Sequence, residues 1–218
     1  MMDLTAQCRE FEAAVLAVDR LRMAEIYQTC GKQASPLEIS DLVLVPALES
    51  IGRAWEEGRA ALSEVYMASR LCEELLESVT WPTQPLRQDF PPVALAVFED
   101  YHMLGKRILK SVVRSAGFEV LDYGRANKDE VLERVQQDKV QFLMLSTLML
   151  RSALCIRELK DEFEKRGIQS KVIVGGAPFR FDQKLWRKVG ADAMGLNPTD
   201  AVQWLQSHGR ASKCEQLH

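Results

Sequence analysis

The second half of the chain alternates short apolar runs with amphipathic stretches, and this alternation constrains the fold more than any other feature. The apolar runs have the length of buried strands, and the stretches between them have the apolar spacing of helices. A strand–helix unit repeated five times buries its strands on both faces as a parallel, doubly wound sheet with helices on both sides. The predicted strands cover residues 93–98, 118–123, 140–146, 171–174 and 193–196.

Helices are predicted between these strands because their apolar residues recur along one face. Sheets of this kind bind ligands at the carboxyl ends of the strands, near the point where the strand order reverses. A functional site is therefore expected at that edge. The predicted helices cover residues 104–115 and 128–137, a longer stretch that ends at 166, a short stretch around Trp186, and a last helix from Asn197-Pro198 through Trp204.

The first 80 residues are predicted to be helical. Apolar side chains from Phe11 to Ile26 recur at helical spacing, and Gly31 followed by Ser35-Pro36 marks a stop and a new start. The next stretch, 37–57, carries Pro46, where a kink or break is expected. With that stretch counted as two helices and a last helix over 62–79, we predict a compact antiparallel bundle of four helices.

Four prolines in the stretch WPTQPLRQDFPP, which lacks any periodicity, indicate a linker. The fold class predicted from both halves is therefore α followed by α/β. We predict a helical bundle domain at 1–81, a linker at 82–90, and a flavodoxin- or Rossmann-like domain with a five-stranded parallel sheet at 91–218.

The composition narrows the classes of function. The net charge is −3 with acids and bases mixed along the chain, which disfavours a nucleic-acid binder with a basic surface. No apolar run approaches the roughly 20 residues that span a bilayer, and the amino terminus lacks the basic start and apolar core of a signal peptide. The five cysteines contain no C-x-x-C pair, which argues against a disulfide framework or a zinc site. We expect a cytoplasmic protein without nucleic-acid or membrane partners.

Three places at the expected edge carry residues suited to ligand binding. Taken singly, each has an ordinary alternative: a loop histidine is often an exposed turn residue, a loop aspartate a solvated acid, a serine after a strand a helix cap, and a glycine pair a tight turn. The candidates are Asp100, His102 and Gly105 after the first strand, Ser146, Leu148 and Ser152 at and after the end of the third, and Gly175 and Gly176 at the end of the fourth.

Together these residues form D-x-H-x-x-G, then S-x-L after 40 intervening residues, then G-G after another 26. This pattern resembles the signature of the methionine-synthase class of cobalamin-binding domains. The first half is similar to the helical module that precedes such domains, and the layout of the chain resembles the small corrinoid proteins that shuttle methyl groups between methyltransferases. The residues of the first half that carry this similarity are Ile51-Gly52, Trp55-Glu56-x-Gly58, Glu64 and Ala68-Ser69.

The resemblance implies cobalamin as the cofactor and His102 as the residue that reaches its cobalt. The cofactor's own dimethylbenzimidazole would leave the metal, and the imidazole of His102 would replace it, which is His-on, base-off binding. Asp100 would accept a hydrogen bond from the second ring nitrogen and so fix the tautomer and orientation of the ring. Ser152 would extend this chain as its third member.

The remaining residues of the pattern are expected to hold the rest of the cofactor. Gly105, Gly175 and Gly176 would leave room for the nucleotide tail in a slot beside the sheet. Ser146 would hydrogen-bond the buried base, and Leu148 would pack under the corrin ring. Trp55 of the helical half would either cover the upper face of the ring or belong to the bundle core.

The implied function is that of a corrinoid methyl carrier, which is not a complete enzyme alone. Its expected partners are a substrate:corrinoid methyltransferase, a corrinoid:tetrahydrofolate-type methyltransferase and a reductive activase. The alternative is a cobalamin-dependent sensor or storage module; a signalling domain without cobalamin is a third interpretation. Two residues depart from the family pattern: Glu99 stands where relatives usually show glycine, and Leu150 where a hydroxyl residue commonly contacts the corrin.

Overall fold

The computed structural model describes residues 4–80, 86–87 and 90–208. Its contacts divide the chain into two compact units, Met1–Trp81 and Pro82–His218. Most of the predicted linker, residues 82–85 and 88–89, lies outside the described residues, so the domain limits stay a prediction. No helix in the described part of the chain is long and apolar enough to cross a membrane, and the cytoplasmic location stays a prediction.

The first unit is helical, as predicted. Its core is formed by apolar side chains from every helix, and the buried residues include Phe11, Val15, Met23, Ile26, Val43, Leu44, Ile51, Leu71 and Leu76. The helices are α1 (Leu4–Leu16), α2 (Arg20–Gly31), α3 (Pro36–Ile39), a π-helical turn (Ser40–Leu44), α4 (Val45–Glu56) and α5 (Leu62–Glu77).

The helix boundaries differ from the prediction at two places. The single helix expected from Phe11 to Ile26 is broken at Val18, whose φ is 57°, and Asp19 caps α2 by accepting a hydrogen bond from the Arg22 N–H. The break expected at Pro46 is absent. The π-helical turn ends at Leu44, and the Val45 N–H bonds to the Ser40 carbonyl. Pro46 therefore lies in the first turn of α4, where a proline is tolerated.

The second unit is a five-stranded, all-parallel sheet with the order β2-β1-β3-β4-β5, which confirms the predicted fold class. The strands are β1 (Val93–Phe98), β2 (Val120–Ala126), β3 (Phe142–Ser146), β4 (Lys171–Gly175) and β5 (Ala193–Gly195). The helices are α6 (Leu104–Ser115), α7 (Lys128–Gln137), α8 (Leu150–Arg166), α9 (Ala177–Phe181), α10 (Leu185–Lys188) and α11 (Pro198–His208).

Alternate residues of each strand bury opposite faces of this sheet. On one face, Ala96, Leu145 and Val174 pack in a single core with side chains of α7 and α8. On the other face, α6 and α11 contact each other and the sheet, and Trp204 of α11 lies edge-on against Phe142. Both faces are therefore covered, which explains the nearly unbroken apolar strands.

Strand β2 extends three residues beyond its predicted end. The pairing with β1 shifts register between Leu95 and Ala96, whose partners are Asp122 and Gly124, so Tyr123 forms a bulge. Gly124 has a φ of 69° there. A glycine is typical of a bulge, and it let the strand continue where the sequence suggested a stop.

Two described residues of the predicted linker belong to the sheet unit. The Arg87 N–H donates to the Gly117 carbonyl at 2.8 Å. The Phe90 ring lies edge-on to Phe118 at 4.7 Å and stacks on Phe142 at 5.2 Å. Phe90 therefore covers apolar surface at the amino end of the sheet.

Candidate functional site

The predicted site residues of the sheet unit meet where β1 and β3 lie side by side, since Val97 of β1 pairs with Ser146 of β3. The helices that follow these strands, α6 and α8, leave to opposite faces of the sheet. This is the topological switch point of a sheet with the order 2-1-3-4-5, where such folds bind ligands. The structure thus places the D-x-H-x-x-G and S-x-L segments together, as expected.

Asp100 ties the loop after β1 to the loop after β3. Its side chain is buried, and Oδ1 accepts hydrogen bonds from the N–H groups of Tyr101 at 2.7 Å and His102 at 3.3 Å. Oδ2 accepts from Leu148 at 2.8 Å and Met149 at 2.9 Å. Neither the sequence pattern nor the predicted role of Asp100 revealed these last two bonds.

The same contacts determine the charge of Asp100. Burial opposes ionisation, but the hydrogen bonds from His102 and from the backbone N–H groups of Met149, Leu148 and Tyr101 outweigh it and lower the pKa of Asp100 to about 2. The carboxylate is therefore negatively charged at neutral pH.

His102 contacts Asp100 as predicted. Its Nδ1 lies 2.7 Å from Asp100 Oδ1, and 37% of the imidazole is exposed while only 1% of the carboxylate is. Because the ionised carboxylate only accepts hydrogen bonds, Nδ1 must carry the proton of a neutral ring. Nε2 then keeps a lone pair for a metal. In the described part of the chain, no group of three or more His, Cys, Asp or Glu side chains could hold a metal ion, so a metal on Nε2 would need ligands from a cofactor.

The predicted extension through Ser152 is wrong in its partner. The buried Ser152 hydroxyl donates to the Glu99 backbone carbonyl at 2.6 Å. The Asp100 carboxylate is held by the N–H groups of Leu148 and Met149 in the β3 loop and not by the Ser152 hydroxyl. Ser152 instead anchors the start of the β1 loop to α8.

Glu99 has a φ of 50°, in the left-handed region that glycine adopts freely, which accounts for the glycine that the family pattern led us to expect. Its carboxylate Oε1 accepts a hydrogen bond from the Lys128 N–H at 2.8 Å. The side chain therefore binds the start of α7.

On the α6 face, small residues and one free hydroxyl line the carboxyl end of the sheet. A Cβ on Gly105 would lie 3.1 Å from Ser146 Oγ, and one on Gly175 would lie 3.3 Å from the Gly195 carbonyl oxygen. Among the described residues, the Ser146 hydroxyl has no hydrogen-bond partner, although Ser146 is buried. Gly195 was not predicted as a site residue, although its place at the end of the fifth strand would have indicated it. These positions suit a narrow slot.

The backbone at Gly176 gives a reason for glycine beside the predicted contact with the base. Its φ is 113°, and a Cβ there would lie 1.8 Å from the Thr147 carbonyl oxygen. The backbone of the β3 loop therefore fills the position that a Cβ would take, and the predicted contact of Gly176 with an aromatic base stays a prediction. Thr147 was not predicted as a site residue. Its buried hydroxyl has no hydrogen-bond partner among the described residues.

The loop after β3 presents apolar side chains to solvent at this edge. Leu148 is 41% exposed although its N–H binds Asp100, and Met149 and Leu150 are also exposed. An exposed apolar surface beside an imidazole with a free nitrogen suits a large, flat ligand with a metal at its centre. Leu150, the first residue of α8, belongs to this surface and offers no hydroxyl.

Trp55 lies in the helical unit, at the end of α4. It is 45% exposed, so a place in the buried bundle core is excluded. Tyr66 of α5 is exposed as well. The predicted role of Trp55 as a cover for the cofactor stays a prediction.

Two family models, both described as B12 binding domain, match residues 91–203 and residues 7–80. Dimethylamine corrinoid protein 3 of Methanosarcina acetivorans is 27% identical, with 93% of this chain and 96% of that protein covered. Trimethylamine corrinoid protein of Methanosarcina barkeri is 30% identical, with 77% of this chain and 79% of that protein covered.

Solved structures show a similar fold. The monomethylamine corrinoid protein of Methanosarcina barkeri matches with a TM-score of 0.74 at 20% identity, over 88% of this chain and 93% of that one. The methanol:cobalamin methyltransferase complex of Methanosarcina barkeri matches with a TM-score of 0.52 at 22% identity, over 98% of this chain and 85% of that one.

Proposed function

Because the chain belongs to the B12-binding family of corrinoid proteins and its cofactor is a cobalamin-type corrinoid, we propose that it carries a methyl group between two methyltransferases. One takes the methyl group from a substrate and the other passes it to an acceptor of the tetrahydrofolate type. The observation that carries the proposal is the His102 imidazole, held by the buried Asp100 carboxylate with Nε2 free at the switch point of the sheet.

His102 is the proposed lower ligand of the cobalt. When bound, the corrinoid supplies the metal that accepts and releases the methyl group, and the protein orients and shields it. Asp100 holds Nδ1 protonated and so would leave Nε2 as the nitrogen that binds the metal. Its negative charge would raise the donor strength of the His102 ring toward the metal.

The nucleotide tail is proposed to lie on the α6 face of the sheet. The small residues Gly105 and Gly175 border this position, and the unpartnered Ser146 hydroxyl is available to a nitrogen of the base. Leu148 is proposed to pack under the corrin ring, because it is exposed in the loop that follows β3 at this edge. Gly176, which lets the β3 loop approach β4, is proposed to border the same slot.

The helical unit is proposed to protect the upper face of the cofactor. Trp55 suits this role because its ring is half exposed and therefore available for contact. The proposed partners are the two methyltransferases and a reductive activase that returns an oxidised metal to its working state. The likeness to a methanol:cobalamin methyltransferase complex supports a methyltransferase partner. Methyltransferase genes beside this one would support the carrier role, whereas a light-controlled operon would favour the sensor.

The test replaces His102 by alanine. The protein should bind a stoichiometric amount of hydroxocobalamin. The variant should bind it more weakly because it lacks the imidazole, but it should still bind it because the slot around Ser146 is intact. In the cobalt(II) state, electron paramagnetic resonance should show nitrogen superhyperfine splitting in the wild type and none in His102→Ala. His208→Ala, which removes an exposed imidazole at the end of α11, is the matched control and should keep the splitting.

Splitting that persists in His102→Ala would mean that the cofactor keeps its own base, and the assignment of His102 would be withdrawn. Asp100→Asn should have an intermediate effect on the spectrum, because the ring keeps a neighbour but loses its anionic partner. A partial substitution by the Glu99 carboxylate would make the effect smaller, and its Oε1 accepts a hydrogen bond from the Lys128 N–H in the wild type.

A further inference from the structure

Glu99 is a residue with a Cβ in a backbone conformation that such residues strongly disfavour. Three hydrogen bonds hold it there. Its N–H donates to the Ala126 carbonyl at 3.1 Å, its carbonyl accepts from the Ser152 hydroxyl at 2.6 Å, and its carboxylate accepts from the Lys128 N–H at 2.8 Å. The bonds reach β2, α8 and α7, so one strained residue is fixed to three elements.

Only one of these bonds depends on the glutamate side chain. The Lys128 N–H is in the first turn of α7, where backbone donors have no partner inside the helix. Asn127 and Glu130 already bind each other's N–H groups in a capping box, which leaves the Lys128 donor for Glu99. The carboxylate thus satisfies an orphan donor and, in the same contact, opposes relaxation of its own backbone.

We propose that Glu99 is a positioning residue for the loop that bears His102. Asp100 follows it directly, and the Asp100 carboxylate must reach the N–H groups of Leu148 and Met149 as well as the imidazole. If residue 99 relaxed to a negative φ, the direction of the chain at Asp100 would change and these contacts would be lost. The proposal rests on the proposed role of His102 for its effect on the metal.

Three substitutions at Glu99 separate geometry from charge. Glu99→Gln keeps the acceptor for Lys128 and removes the charge. Glu99→Gly removes both but adopts the left-handed conformation without strain. Glu99→Ala keeps the strain and removes the hydrogen bond that offsets it.

Amide hydrogen exchange in the apoprotein reads the position of Asp100 without any cofactor. The Leu148 and Met149 amides should exchange roughly 5- to 30-fold faster in Glu99→Ala, the factor expected from the loss of one exposed hydrogen bond to a charged acceptor that offsets the strain in the wild type. They should stay near the wild-type rate in Glu99→Gln and Glu99→Gly. The Lys128 amide should stay protected in Glu99→Gln and lose protection in the other two.

A second approach leaves residue 99 unchanged. Lys128→Pro removes the N–H donor at the first position of α7, where proline is well tolerated, and the φ of −82° and ψ of 177° at Asn127 suit a residue before proline. It should accelerate the Leu148 and Met149 amides as Glu99→Ala does. Lys128→Ala, which keeps the backbone donor, is the control. This pair decides the matter even where Glu99→Ala does not fold.

In the cobalt(II) protein, the nitrogen-split fraction should fall in Glu99→Ala and stay near wild type in Glu99→Gln and Glu99→Gly. Equal losses in all three would assign Glu99 an effect through its charge and overturn the proposal. Wild-type exchange rates at Leu148 and Met149 in Glu99→Ala and Lys128→Pro would overturn it as well. A wild type without nitrogen splitting would instead refute the role of His102, while the apoprotein exchange rates would still decide whether Glu99 positions Asp100.

Discussion

Asp100→Asn tests whether one carboxylate holds the β1 loop against the β3 loop in the protein without cofactor. Four backbone N–H groups share the two carboxylate oxygens, two on each. An asparagine of the same shape keeps one oxygen and places an NH2 group where the other was. One of the two loops must therefore lose its acceptor and face a second donor.

The lowered pKa of Asp100 and the hydrogen bonds that Asp100→Asn removes each set a scale for the loss in unfolding free energy. The pKa of Asp100 falls from 3.8 to about 2 on folding, which corresponds to about 2 kcal/mol at neutral pH. Loss of two hydrogen bonds to a charged acceptor, at about 1.5–3 kcal/mol each, gives an upper figure of about 6 kcal/mol. Because the asparagine amide still fills the site and keeps one acceptor, we expect a loss of about 2–4 kcal/mol.

The pH dependence carries the sharper test. A carboxylate whose pKa is lowered by folding stabilises the protein above its unfolded pKa, and this stability is lost as the pH falls through the folded value. Between pH 6 and pH 3, the difference between wild type and Asp100→Asn should therefore shrink by about 1 kcal/mol. Urea denaturation of both apoproteins at the two pH values measures it. Asp161→Asn, an exposed carboxylate on α8, is the control for removal of a charge and should change stability by less than about 0.5 kcal/mol. A difference that stays constant between pH 6 and pH 3 would refute the ionised, hydrogen-bonded state of Asp100.

Two further predictions concern the frame of the site. Gly176→Ala should lower the unfolding free energy of the apoprotein by about 2–4 kcal/mol, because its Cβ would collide with the Thr147 carbonyl at a φ of 113°. In urea denaturation, Gly175→Ala should lose less unfolding free energy than Gly176→Ala. The reverse order would contradict the close approach at Gly176. A fragment that begins at Leu86 should retain cobalamin. It should also be more stable than one that begins at Pro91 by about 2 kcal/mol, because it keeps Phe90 against Phe118 and Phe142. Equal stabilities would show that these ring contacts contribute nothing, and a folded Leu86 fragment that binds no cobalamin would refute the assignment of the tail and lower-ligand contacts to the sheet unit.

The sheet was predictable because periodicity and strand length act locally. A parallel strand buried on both faces must be apolar along its whole length, and β1, β3 and β4 followed that pattern. Strand β2 did not, because the bulge at Tyr123 depends on its pairing with β1, which no local pattern in the sequence reports. In the helical unit, Pro46 suggested a break, but it lies in the first turn of α4, where a proline is tolerated.

The site was predicted in its members and less well in its contacts. The order of the motifs after β1 and β3 was enough to bring Asp100, His102 and Ser146 to one edge. The partner of Ser152 could not be deduced, because a hydroxyl six residues beyond a strand can reach any acceptor on the neighbouring loop. The glycine pair received one joint explanation, although Gly176 meets the Thr147 backbone and Gly175 meets that of Gly195.

The contacts of Asp100 imply that the His102 ring is oriented before any cofactor arrives. Most of the hydrogen bonds to this carboxylate come from the protein backbone, so the stability of the fold already holds the carboxylate in place. A ligand that needs Nε2 in one direction then binds without having to order the loop, which favours affinity. The same arrangement makes the position of the His102 imidazole sensitive to movements of the β3 loop. Any movement of the β3 loop shifts the N–H groups of Leu148 and Met149, and through Asp100 it would move the imidazole.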